Sequence, residues 1–365
     1  MKNGKLQIGF IGCGLIANMK HFPALSNLND LCQMVAFCDL IEERAKNGAM
    51  AYGTSNAKTY LNYKDLLNDD SIDVVHVLTP NVSHCQITID ALAANKHVLC
   101  EKPISHSYKE ALKMIEAAKY TKKKFTIGYQ NRFREEVQVL KSACEDGYLG
   151  DIYFAKAHAV RRRAVPTWGV FMDKAKQGGG PLIDIGTHAL DLTLHFMNNY
   201  NTKSVTGSVF YKLADKPEGN MFGPWDPKTY EMEDSAFGFI KMENGATIFL
   251  EASWALNTTD VKEACTTLCG TNAGAEIKTG PDLKPNLVFN DVKYNKLFEE
   301  RFSEVPGIAF ANPVGNTPQD KEAKQWLTSI LQDTEPLVKP EEALVVTQIL
   351  DSIYQSSQGK KTIEF

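Results

Sequence analysis

The sequence predicts an α/β chain: a doubly wound parallel sheet first, then an α+β region whose strands are mostly antiparallel. Three observations carry this reading. Short apolar runs alternate with helix-forming stretches through residues 1–128, which is the rhythm of βαβ units. Small and acidic residues fall just after those runs, at the carboxyl ends where such sheets bind ligands. Beyond Gly128 the rhythm stops, and segments of alternating polar and apolar residues take over.

The first strand is Leu6–Ile11 (LQIGFI), apolar on both faces as a buried parallel strand requires. Gly12-Cys13-Gly14-Leu15-Ile16-Ala17 follows, a G-x-G-x-x-A turn. Gly12 allows the tight turn, Gly14 admits a pyrophosphate to the backbone, and Ala17 allows close helix–strand packing. The N–H groups opening the next helix, around Leu15 and Ile16, and its positive dipole end favour phosphates. The second strand, Met34–Cys38, ends in Asp39, 22 residues past Ala17. An acid at that place grips ribose hydroxyls and repels a 2′-phosphate, so NAD is expected in preference to NADP, with Arg44 nearby. Asp39 would also serve as a plain N-cap for a helix over Ile41–Tyr52.

Asp73–Leu78 is the next buried strand, followed by the turn Thr79-Pro80-Asn81 and a helix capped by Ser83 and running to about Asn95. Lys96–Cys100 is a strand, Ser107–Lys123 a helix and Phe125–Gly128 a short strand. Gly12, Asp39, Thr79–Asn81 and Glu101 therefore fall on one edge. In the second half, Ile152–Arg163, Ser204–Tyr211, Ser235–Met242 and Thr247–Trp254 read as half-exposed strands, with a hairpin turn at Asn244-Gly245. Helices over Gln319–Asp333 and Pro340–Gln355 close the chain. The expected domains are 1–128 and 129–365, joined near Gly128–Gln130.

Composition excludes several classes. Forty Lys+Arg against 44 Asp+Glu leave a net charge of −4, so no nucleic-acid surface is expected. No stretch is apolar enough to span a bilayer, and the glycines of the N-terminal apolar run argue against a signal peptide. Eight scattered Cys suggest reduced thiols and a cytoplasmic setting rather than a disulfide framework. No metal site is expected, since Cys265-x-x-x-Cys269 lacks a partner pair and His84-Cys85 are adjacent. A G-x-S-x-G hydrolase elbow is absent.

The runs Thr79-Pro80-Asn81-x-x-His84, AANKHVLCEKP (ending Cys100-Glu101-Lys102-Pro103) and GGGPLIDIGTHALDL, in that order, resemble the Gfo/Idh/MocA oxidoreductases. The resemblance covers nearly the whole chain. It implies a Rossmann domain, a C-terminal domain with a large open sheet, and homodimers or homotetramers formed through that sheet. It also implies hydride transfer between a nicotinamide and one secondary alcohol of a sugar, sugar derivative or inositol. Asp184 and His188 are four apart and Asp191 seven from Asp184, a spacing that puts all three on one helix face. Within the resemblance His188 is the general base, Lys102 stabilises the developing alkoxide, and Asp184 tunes them or holds a substrate hydroxyl, as Asp191 also would. Glu101, Thr79, Pro80, Asn81 and His84 are expected beside the cofactor, and Asn131 and Trp168 beside the substrate. Two other readings keep the fold: an NAD-dependent glycosidase with transient redox, which tends to lack the lysine found at 102, and a non-catalytic NAD or sugar sensor.

Overall fold

The computed structural model describes residues 1–2, 4–279, 285–302 and 316–365. They form two compact units, Met1–Phe133 with the described part of Gly307–Leu344, and Arg134–Pro306, as far as described, with Val345–Phe365.

The first unit is built on six parallel strands, β1 (Leu6–Ile11), β2 (Cys32–Cys38), β3 (Lys58–Tyr60), β4 (Val74–Val77), β5 (His97–Cys100) and β6 (Phe125–Ile127). Their order is β3-β2-β1-β4-β5-β6. The chain starts in the middle, winds to one edge, and returns to wind to the other, so the order reverses beside β1. β1 and β4 are buried along their whole length, as the continuous apolar runs require. The helix Asn81–Ala93 begins at Pro80, which flanks it without a side-chain cap. Ser83 is therefore not the cap. It lies inside the first turn, donating to the Pro80 carbonyl (2.8 Å) with its oxygen 2.7 Å from Thr79 Oγ1, from which it can accept.

A single boundary near residue 128 does not describe these units. The helix Pro318–Leu331 belongs to the first, because Ala323, Trp326 and Leu327 bury into the same core as Phe10, Phe22 and Leu25. An apolar helix face goes where it can lose water, not where its sequence number suggests.

The second unit carries β7 (Ile152–Val160), β8 (Thr202–Phe210), β9 (Ser235–Met242), β10 (Thr247–Ser253), β11 (Lys262–Gly270), β12 (Ala273–Thr279), β13 (Pro285–Lys293), β14 (Lys296–Arg301) and β15 (Ile363–Glu364). The nine strands run in the order β14-β13-β12-β11-β7-β10-β9-β8-β15. All neighbours are antiparallel except β7 and β10. β7 ends at Val160; the Arg161 N–H still donates to the Ser253 carbonyl (2.8 Å), and the chain bends away at Arg162–Arg163. The Asn244-Gly245 hairpin joins β9 to β10 with Gly245 at φ 88°. On β10 the buried residues Ile248, Leu250 and Ala252 alternate with Phe249 and Glu251 on the other face. The helix Thr187–Met197 packs on β7 and β11.

Candidate active site

At the strand-end edge of the first unit, Gly12 N–H donates to the Cys38 carbonyl (2.8 Å), drawing the glycine turn against β2. Gly12 sits at φ 98°, and a Cβ there would lie 2.5 Å from the Leu78 carbonyl oxygen, so only glycine serves. At Gly14 a Cβ would meet no protein atom within 4 Å. Bare backbone facing open space, at the opening of a helix, fits the pyrophosphate of a dinucleotide. Leu15 and Ile16 are exposed beside it, while Ala17 is buried. Asp39 is half-buried. Its carboxylate accepts from Cys13 N (2.8 Å) and Ile41 N (2.9 Å), which fixes a negative charge against the turn. Ile41, not Asp39, flanks the helix Glu42–Tyr52. Arg44 is exposed on that helix.

Past Ala17 the helix widens into a π-turn over Ala17–His21 and buries Lys20 and His21 together. Lys20 Nζ meets Glu101 (2.7 Å) and Glu322 (3.0 Å), and His21 Nε2 also meets Glu101 (2.9 Å). His21 Nδ1 lies 3.1 Å from Nδ1 of buried His76. Burial works to raise the Glu101 carboxyl, but Lys20 and His21 hold it well below the usual carboxylate range. Burial lifts Glu322 to about 7 against the pull of Lys20. Glu101 is 5% exposed, with Oε1 on Lys20 and His21 and Oε2 accepting from the Lys102 N–H (3.1 Å), which braces the turn that carries Lys102. His84 is fully buried, with its ring nitrogens 2.9 Å from the Pro103 carbonyl and 2.8 Å from the Thr79 carbonyl. Thr79, Pro80, Asn81 and Lys102 are half-exposed, and the Lys102–Pro103 bond is cis. Asn131 is half-buried in the turn Gln130–Phe133, beside buried Arg132, which pairs with Glu342 at 2.5 Å.

In the second unit a π-turn over Leu182–Gly186 leads into the helix Thr187–Met197. From Pro181 to Phe196 every residue is buried except Asp184 and His188. Asp191, one turn further on, is buried at 1% exposure. Asp184 Oδ2 accepts from the indole N–H of buried Trp254 (2.9 Å). The positive charge of Arg161, itself paired with Glu263 (2.5 Å), also acts on Asp184. The helix entry is held by Glu233, whose Oε1 accepts from Gly180 N (2.9 Å), Leu182 N (3.4 Å) and Tyr354 Oη (2.6 Å). Such close approach requires glycine: a Cβ on Gly179 would fall 2.2 Å from the Tyr354 hydroxyl. Trp168 is 39% exposed and packs edge-on against Phe222 at 4.5 Å. Trp225 is buried, its indole N–H donating to the Ala214 carbonyl.

Comparison with known proteins agrees with both halves. The family description "Oxidoreductase family, NAD-binding Rossmann fold" matches residues 6–129, and the GFO/IDH/MocA C-terminal domain matches residues 137–276. The chain belongs to the Gfo/Idh/MocA oxidoreductase family. A D-glucoside 3-dehydrogenase of Escherichia coli is 38% identical over 277 residues, 76% of this chain and 78% of that protein. An inositol 2-dehydrogenase of Salmonella typhimurium is 29% identical over 201 residues, 55% of this chain and 56% of that one. Among solved structures, a levoglucosan dehydrogenase in complex with NADH and levoglucosan superposes with a TM-score of 0.82 at 19% identity, covering 99% of both chains, a likeness of fold. The chain is thus a family oxidoreductase with an NAD-binding Rossmann fold. Among the described residues no helix is long and apolar enough to cross a membrane, and no cluster of three or more His, Cys, Asp or Glu could hold a metal ion.

Proposed function

We propose that this chain is an NAD-dependent dehydrogenase that oxidises a secondary ring hydroxyl of a pyranoside or related cyclic polyol. The observation that carries the reading is that Asp184 and His188 alone remain half-buried, and so partly accessible, in an otherwise fully buried run. A buried helix that leaves one carboxylate and one imidazole accessible, with the carboxylate oriented by Trp254, is arranged to handle a proton. The relative named D-glucoside 3-dehydrogenase supports a pyranoside as substrate.

His188 takes the hydroxyl proton during oxidation and returns it during reduction. Lys102 donates to the same oxygen and stabilises its developing negative charge. Asp184 orients these groups or holds a neighbouring hydroxyl. The nicotinamide, when bound, accepts the hydride from the carbinol carbon. Gly12, Gly14, Leu15 and Ile16 would hold its pyrophosphate, and Asp39, with its charge fixed at the turn, would hold the adenosine ribose and repel a 2′-phosphate. Trp168, exposed beside Phe222, offers an aromatic face to a sugar ring. The sheet supports self-association: Phe249 and Phe239 are cross-strand partners and both exposed, an apolar face suited to a second copy of the chain in a cytoplasmic dimer or tetramer.

The test is a spectrophotometric screen of the purified protein with NAD or NADP against methyl glucosides, glucose, glucose 6-phosphate, myo-inositol and levoglucosan. NADH should accumulate with a pyranoside. No reduced cofactor with any compound would overturn the reading, and equal rates with NADP would overturn the cofactor preference.

A further inference from the structure

Lys102 is the residue whose direction matters most to the proposed chemistry, and its backbone is pinned from both sides. Its own N–H donates to Glu101 Oε2 (3.1 Å), and Glu101 is fixed in turn by buried Lys20 and His21. On the other side stands the carbonyl of Pro103, 2.9 Å from His84 Nδ1. His84 Nε2 lies 2.8 Å from the Thr79 carbonyl, in the turn that follows β4. The ring is fully buried and comes from the first turns of the helix Asn81–Ala93. One imidazole therefore bridges the turns that leave β4 and β5.

We propose that His84 is a positioning residue, a buried clasp that ties the Thr79-Pro80 turn to the Lys102-Pro103 turn and thereby sets the direction of the Lys102 ammonium. The inference rests on the dehydrogenase reading only for the role of Lys102; the clasp itself stands on two contacts and complete burial. A carbonyl oxygen can only accept, so a neutral ring donates to one of the two and an imidazolium to both. Burial favours the neutral ring and dominates, the two carbonyls and Glu101 favour the imidazolium, and the charge of Lys102 opposes it; the ring accordingly titrates below its ordinary value. Loss of one buried bond of this kind loosens a turn by a few-fold to about tenfold in its opening equilibrium.

The test uses His84→Gln and His84→Asn: a single amide nitrogen cannot take the place of two ring nitrogens on opposite sides of an imidazole, and the asparagine is also too short to span the two carbonyls. Backbone amide exchange by mass spectrometry should accelerate together in residues 79–82 and 101–105 of each folded variant, while β4 and β5 keep their protection. The turnover number should fall tenfold or more while the dissociation constant for NADH, read by fluorescence, stays within about threefold. Should neither variant fold, imidazole-ring protons of the unaltered, 15N-histidine-labelled protein decide: a slowly exchanging ring N–H from a buried histidine showing contacts to Thr79 or Pro103 is expected, and its absence overturns the clasp. Unchanged exchange in both turns, or acceleration in one alone, also overturns it. The two readings fail separately. If exchange accelerates as expected but Lys102→Ala turns over normally, the clasp stands and the role of Lys102 falls. If Lys102→Ala is inactive while the His84 variants keep full turnover and protection, the clasp falls.

Discussion

Replacing Glu322 by glutamine should remove a specific pH dependence from the stability of the first unit. Lys20 faces two carboxylates, Glu101 at 2.7 Å and Glu322 at 3.0 Å, and all three side chains are buried. One ammonium in a dry site does not neutralise two carboxylates, so one of them is held protonated more easily than in water. Burial lifts Glu322 from 4.5 to about 7, with Lys20 opposing and Glu101 adding to the rise. Between those values the folded chain holds a proton that the unfolded chain releases, so stability falls as pH rises through this window. At about 1.4 kcal/mol per tenfold change in proton affinity, the whole window is worth about 3 kcal/mol. Urea melts at a series of pH values from about 5 to 8 measure it. The stability of the natural protein minus that of Glu322→Gln should decline by a few kcal/mol on going to the alkaline end. Parallel curves, or a difference that grows with pH, would refute this account of the Lys20 cluster.

Three further outcomes follow from the same structure. Lys102→Ala and His188→Ala should each leave NADH affinity within a few-fold and cut turnover by about a hundredfold to ten-thousandfold, as loss of a proton-handling or charge-stabilising group does; steady-state kinetics beside fluorescence titration separates the two effects. Trp254→Phe removes the indole N–H that Asp184 accepts at 2.9 Å and shrinks a fully buried side chain; since a bond to a charged group is worth about 1.5–3 kcal/mol and the smaller ring leaves a cavity, the thermal midpoint should fall by several degrees in a calorimetric melt, and turnover should fall with it as Asp184 loses its orienting donor. Asp39→Ala should narrow the preference for NAD over NADP, measured as the ratio of kcat/KM values, and should also loosen the glycine turn, because Asp39 accepts from Cys13 N.

Much of the first unit was legible because parallel strands buried on both faces read as continuous apolar runs, as β1, β4 and β5 do. The glycine turn and Asp39 were legible because tight backbone approach leaves few choices of residue. The buried cluster was missed for a reason that the sequence itself exposes. Ala17, Lys20, His21, Ala24 and Leu25 follow the i, i+3, i+4, i+7, i+8 stripe of a buried helix face, so two polar residues sat in plain view on the core side. Glu322, the second partner of Lys20, lies some 300 residues away in sequence, and no local pattern announces such a pairing. The exposure of Asp184 and His188 was partly legible from their spacing, but the π-turn at Leu182–Gly186 and the burial of Asp191 depend on packing against the sheet. Nothing local in the sequence marks Glu233 as the acceptor at the helix entry, since a carboxylate that holds a helix start 50 residues upstream leaves no signature.

The most direct test of the whole account is a crystal structure of the protein with NADH and a bound pyranoside. One ring hydroxyl should lie within hydrogen-bond reach of both Lys102 Nζ and His188, with its carbon against C4 of the nicotinamide. A sugar bound elsewhere, or Lys102 and His188 turned to different hydroxyls, would contradict it.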